Sequence, residues 1–122
     1  MILVDSSGWI EYLVNGPRAE RFAPYLEGRE PLLVSAIEIY DVYKVIRRDF
    51  SEERAVGAVS AMRRATVAPV DDGVALEAAD AALVFGLAMA DSLVYATARR
   101  HGAQVVTADA DFEGLPDAIV IR

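Results

Sequence analysis

Four aspartates in this chain stand where a folded backbone could gather them. Asp5 closes the apolar run Met1-Ile2-Leu3-Val4, Asp109 follows Gln104-Val105-Val106-Thr107, Asp91 stands at the opening of a helical segment, and Asp41 lies about one turn inside another. Carboxylates packed together repel one another unless something neutralises them, and a divalent cation is the ordinary solution. The donors on offer are oxygens alone. There is no cysteine, and the single histidine, His101, falls at the far end of its helix from Asp91, which suits a surface or structural role. An all-oxygen set selects hard ions, Mg²⁺ or Mn²⁺.

Taken singly, each acid has a plainer reading. Asp5 and Asp91 could be helix caps or turn residues, and Asp109 and Asp111 in Ala-Asp-Ala-Asp could be turn formers. Asp41 could pair with Lys44 three residues on, a contact worth a few tenths of a kcal/mol. Convergence on one place is what would separate function from these local roles, and convergence depends on the elements that carry the acids.

Those elements alternate between short strands and helices. The first five residues read as a strand without polar alternation, as expected where both faces are covered by helices. A serine after Asp5 can cap a helix bearing Trp9, Ile10 and Leu13, which Asn15-Gly16-Pro17 ends. A second short helix is expected over about 18–27, with Pro24 blurring its start. Leu32-Leu33-Val34 is a second strand. Ser35 caps a helix over about 36–48, with Ile39, Val42, Tyr43 and Ile46 as its apolar stripe and Glu38, Asp41, Val45 and Arg48 beside it.

Ser51 starts a fourth helix, to about Arg64, with Glu52 and Glu53 in its first turn, where the helix dipole favours acids. Thr66-Val67-Ala68-Pro69-Val70 reads as an edge strand because of its proline. Asp71-Asp72-Gly73 turns into a fifth helix to about Val84. A connection over Phe85 to Ala90 leads to a sixth helix, opened by Asp91 and stopped at His101-Gly102. Two further strands follow, Gln104 to Thr107 and Ile119 to Ile121. The pattern predicts a single α/β domain over residues 1–122, with a mostly parallel sheet of about five short strands and helices on both faces. If the first and fourth strands are parallel, Asp5 and Asp109 reach the same carboxyl edge, where open α/β sheets bind ligands.

Composition narrows the field. A chain of 122 residues, 54% hydrophobic, can bury a core without staples. No apolar run approaches the roughly 20 residues of a membrane span, and the N-terminus lacks the basic start of a signal peptide, so a soluble, cytoplasmic domain with no membrane partner is expected. The net charge of −7 argues against gripping nucleic acid by bulk electrostatics. The basic groups Lys44-Arg47-Arg48, Arg63-Arg64 and Arg99-Arg100 read first as solvated helix faces and ends.

In Leu3-Val4-Asp5-Ser6-Ser7, Ser35 through Lys44, Ala90-Asp91-Ser92-Leu93 with Ala96-Thr97-Ala98, and Val106 through Phe112, the sequence resembles a PIN domain, specifically the VapC-type ribonuclease of toxin–antitoxin pairs. These segments span nearly the whole chain in the right order. The resemblance implies a PIN-like three-layer fold and an acidic quartet, here Asp5, Asp41, Asp91 and Asp109, that binds Mg²⁺ or Mn²⁺. It implies Mg/Mn-dependent endoribonuclease activity toward RNA phosphodiesters by metal-assisted hydrolysis, with no side-chain nucleophile. It further implies a homodimer and neutralisation by a cognate antitoxin.

Ser6, Thr107 and Asp111 are the expected supporting contacts. The family's second acid is normally a glutamate, where this chain has Asp41, one methylene shorter; Glu38 lies three residues earlier on the same side of the helix. Register favours Asp41, with Glu38 as a supporting or compensating ligand.

Two other readings compete. One is a degenerate PIN fold kept as a protein-binding module, which the shortened Asp41 leaves open. The other is a receiver-like phospho-acceptor domain, which the absence of any lysine in the C-terminal third counts against. Trp9, Phe22, Tyr25, Tyr40 and Tyr43, clustered in the first three helices, are either core or a partner surface.

Overall fold

A computed structural model describes residues 1–122. Five strands form one sheet, with β1 (Ile2–Val4) at its centre, β2 (Leu32–Ser35) and β3 (Thr66–Ala68) on one side, and β4 (Gln104–Thr107) and β5 (Ala118–Val120) on the other. Every neighbouring pair is parallel, and Leu3 stands opposite Leu33 and Val105. The helices are α1 (Ser6–Leu13), α2 (Ala19–Leu26), α3 (Ala36–Asp49), α4 (Glu52–Met62), α5 (Asp72–Phe85) and α6 (Met89–Arg100). None is long and apolar enough to cross a membrane alone.

Successive strand residues point to opposite faces, and here both faces are dry. Ile2, Val4, Val34 and Val106 meet Trp9, Phe22, Val42, Ile46 and Met62 of α1 to α4. Leu3, Leu33 and Val105 meet Val94, Tyr95 and Ala98 of α6 on the other side. This is why the strands lack polar alternation. α5 packs outside α6 through Val74, Ala78 and Ala96. α1 comes so close to β1 and α2 that a Cβ at Gly8 would lie 2.5 Å from Val4 Cγ1 and 2.6 Å from Phe22 Cε1.

The strand order creates the site. From β1 the chain winds outward to β2 and β3, then returns to lay β4 on the other flank of β1. The switch point, where parallel sheets open a crevice, therefore lies between the carboxyl ends of β1 and β4. A receiver sheet runs 2-1-3-4-5 with its switch elsewhere, so the phospho-acceptor reading is excluded by topology.

Several boundaries differ from the sequence reading. α6 begins at Met89, so Asp91 lies in its first turn and does not cap it. Asp71 caps α5 by accepting from Val74 N, which absorbs the expected Asp-Asp-Gly turn into the helix. α5 continues to Phe85 and stops at Gly86, whose φ of 70° is the left-handed conformation that suits glycine. α4 ends at Met62 and β5 is shifted one residue earlier. β3 is an edge strand, as its flanking proline suggested.

Candidate metal centre

Asp5 extends β1 by one rung, its N–H donating to Val106 O at 2.9 Å. Its own side chain caps α1, a role the sequence reading gave to a serine. Oδ1 accepts from Ser7 N at 2.9 Å and Ser7 Oγ at 2.5 Å, and Oδ2 accepts from Thr107 Oγ1 at 2.6 Å. Burial raises the Asp5 pKa, and the Ser7, Thr107 and Gly8 hydrogen bonds pull against that rise.

The same two hydroxyls bind the end of β4 to the end of β1. Thr107 Oγ1 accepts from Asp109 N at 2.9 Å, and Ser7 Oγ accepts from Ala108 N at 3.2 Å. Each oxygen thus donates to Asp5 and accepts from the loop that carries Asp109. Asp109 in turn caps a 3-10 helix, Ala110–Phe112, accepting from Asp111 N at 2.9 Å, and Phe112 is buried beneath it.

That tight turn brings Asp111 back beside Asp109, and the first turn of α6 supplies Asp91. One carboxylate oxygen from each of Asp91, Asp109 and Asp111 lies within 4.8 Å of the others. Asp91 is half-buried, and its pKa is pushed up to about 7, first by desolvation and then by the charges of Asp109, Asp5 and Asp111. This trio sets Asp111 beside the expected Asp91 and Asp109. Asp111, expected only as support, belongs to it, while Asp5 stands behind it within electrostatic reach of Asp91. The Asp-x-Asp spacing after a strand is the signal that could have promoted Asp111.

α3 approaches from the other side. Asp41 Oδ2 accepts from Ser6 Oγ at 3.4 Å, linking α3 to the first turn of α1. Glu38 is fully buried. Its Oε2 accepts from Ser35 N at 2.8 Å, closing a capping box with the Ser35 side chain, and its Oε1 has no partner. Its pKa lies well above the carboxylate range because of burial, with Asp5 and Asp41 adding repulsion. Glu38 is thus a buried cap behind the crevice, whereas Asp41 is partly open to it.

His101 is exposed at the C-terminus of α6, as expected. The aromatic residues of the first three helices divide between core and surface. Trp9 and Phe22 are buried, Tyr25 and Tyr43 are half-buried, and only Tyr40 stands out.

A metal fits this arrangement on two grounds. The donors are all carboxylate oxygens, the set hard divalent ions prefer. The Asp91 pKa, raised first by desolvation, is raised further by the charges of Asp109, Asp5 and Asp111, a repulsion that a cation would relieve.

The fold resembles several solved structures. A toxin–antitoxin complex from Klebsiella pneumoniae superposes with a TM-score of 0.80 at 22% identity, over 98% of this chain and 97% of that one. The sarcin–ricin loop cleaving toxin VapC20 of Mycobacterium tuberculosis gives 0.77 at 20%, over 96% and 98%. DNA-bound VapBC from Salmonella typhimurium gives 0.75 at 19%, over 99% and 98%. No curated protein matches by sequence. The family model for the PIN domain matches residues 2–118, nearly the full length, and the chain therefore belongs to the PIN domain family.

Proposed function

We propose that this chain is a Mg²⁺- or Mn²⁺-dependent endoribonuclease that hydrolyses RNA phosphodiesters as the toxin of a toxin–antitoxin pair. The observation that carries the reading is the meeting of Asp91, Asp109 and Asp111 within 4.8 Å at the switch point, with Asp5 within electrostatic reach of Asp91 and Asp41 linked through Ser6 to the first turn of α1. When bound there, a divalent cation supplies charge neutralisation at the scissile phosphate and acidifies an attacking water.

The chain's own part is to hold the ligands. Thr107 and Ser7 fix Asp5 and the Asp109 loop as one unit, so the acids on β1 and β4 keep their spacing. Ser6 steadies Asp41 on the opposing helix. Asp41, half-buried and facing this hydroxyl, suits the second-acid position better than Glu38, one oxygen of which is committed to the Ser35 cap. The toxin–antitoxin complexes among the similar structures support a cognate antitoxin as partner. The exposed Leu83, Val84 and Met89 at the corner between α5 and α6 support a homodimer. A cytoplasmic setting agrees with the lack of cysteine.

The test is cleavage of RNA by pure protein with Mn²⁺, Mg²⁺ or EDTA. Cleavage that needs the ion and disappears in Asp109→Asn is the expected result. A protein that binds its antitoxin but cleaves no RNA with either ion would instead be a PIN fold kept for protein binding, the reading that the shortened Asp41 favours.

A further inference from the structure

We infer that the outer strip of α3 beyond Asp41, formed by Tyr40 and Lys44 and faced by Arg63 across the groove to α4, is the track that holds single-stranded RNA on its way to the acids. The inference rests on the nuclease reading and adds where, and in what form, the substrate lies.

Charge is the first observation. The chain as a whole carries 19 acids against 12 Lys and Arg, yet between Asp41 and Asp49 every charged side chain of α3 is basic: Lys44, Arg47 and Arg48. Lys44 and Arg63 have no carboxylate partner, although most of the chain's acids are at the surface. Arg47 and Arg48 do pair, with Glu52 at 3.5 Å and Asp49 at 2.8 Å. Both pairs are open to water, and such pairs hold their members weakly, so a phosphate can compete for them.

The second observation is the ring of Tyr40. The residue is 58% exposed, and the Lys44 ammonium sits over one face of the ring, 4.7 Å from its centroid. Tyr40 and Tyr43 line two adjoining hollows of about 370 and 410 Å³, the first reaching Arg63 and the second Lys44, Arg47 and Arg48. An exposed tyrosine among cations that are unpaired or only weakly paired is the combination that single-stranded nucleic acid uses, bases stacking on rings while cations follow the phosphates. A duplex hides its base faces, and a protein of net charge −7 with so short a basic strip cannot match its charge density.

Position is the third. Tyr40 directly precedes Asp41, whose carboxylate accepts from Ser6 at the crevice, and Lys44 follows one turn later on the same side. Tyr40 is thus the chain neighbour of an acid that is linked through Ser6 to the first turn of α1.

The experiment pairs binding of a short fluorescein-labelled single-stranded RNA in EDTA with its cleavage in Mn²⁺. Tyr40→Ala should weaken binding about tenfold and raise KM accordingly, with Tyr40→Phe restoring both. Lys44→Gln should lower the slope of log affinity against log salt by about 0.7. Arg21→Gln, on exposed α2 away from the strip, should change neither.

The track is overturned if the wild-type protein cleaves RNA while Tyr40→Ala and Lys44→Gln keep wild-type affinity and KM. It is equally overturned if duplex RNA of the same sequence binds as tightly, or if Tyr40→Ala loosens only the antitoxin. Wild-type protein that cleaves no RNA would bring down the nuclease reading itself, and the track with it.

Discussion

The two flanks of the crevice use the same residue type in opposite ways. On the β1 side, Asp5 is buried and its oxygens are engaged by Ser7 and Thr107. On the β4–α6 side, Asp91, Asp109 and Asp111 crowd one another with no basic side chain between them to balance their charge. One flank is finished by folding and the other is left electrostatically incomplete. A buried carboxylate given several donors becomes part of the scaffold, whereas carboxylates clustered without a balancing cation store a repulsion that a ligand can discharge.

The largest expected effect is on activity. Asp91→Asn and Asp109→Asn should each lower Mn²⁺-dependent RNA turnover by on the order of 10²–10³-fold. Retention of activity by both would break the assignment of the β4–α6 flank. On α3, Asp41→Asn should cost about tenfold or more in turnover, while Glu38→Gln, which keeps a neutral side chain in a sealed pocket, should cost less than about threefold. If only Glu38→Gln loses both Mn²⁺ affinity and cleavage, the buried cap is the ligand and Asp41 is a bystander.

Stability sharpens the contrast because the two flanks should respond with opposite sign. Asp5→Asn replaces an acceptor by an amide facing the Thr107 hydroxyl that donates to it, and should destabilise by about 1–3 kcal/mol in urea unfolding. Asp91→Asn should stabilise the metal-free protein at pH 8 by on the order of 1 kcal/mol, discounted because the group is half open to water. Equal and same-signed changes would erase the difference between the flanks.

A smaller effect concerns pH. Folding raises the Asp91 pKa from 3.8 to about 7, so folding favours its protonated form. Its contribution is fully present below the unfolded value and fades as pH rises through 7. Metal-free stability should therefore decline between pH 5 and pH 8, and the decline should flatten in Asp91→Asn. Since the cation requires the ionised acid, added Mn²⁺ should raise Tm more at pH 8 than at pH 6. Unfolding curves at several pH values with EDTA or Mn²⁺ measure both.

Much of this was legible in the chain. The unbroken apolar run ending in Asp5 and the short Val105-Val106 pair before Asp109 announced covered parallel strands, because a strand buried on both faces has no solvent side on which to alternate. An aspartate directly after such a run is bound to emerge at the carboxyl edge, so the placement of Asp5 and Asp109 followed from strand direction. The helical stripe of α3 likewise gave Val42 and Ile46 their burial.

Other features depended on distances across the fold. No local pattern states that β4 returns beside β1, and that adjacency alone lets Thr107 bridge Asp5 to Asp109. The rank of Asp111 followed from a 3-10 turn anchored by buried Phe112, and the raised pKa of Asp91 from burial first and then from three neighbours, two of them on another loop and one on another strand's end. Glu38 sat beside the apolar stripe by periodicity, but its complete burial is set by how α3 packs against its neighbours. The sequence by itself determined which residues reach the sheet edge, because that depends only on local period and strand polarity. Tertiary structure decided which of them share a charge, because electrostatic coupling depends on separation and solvent exclusion, quantities that exist only once distant segments have packed.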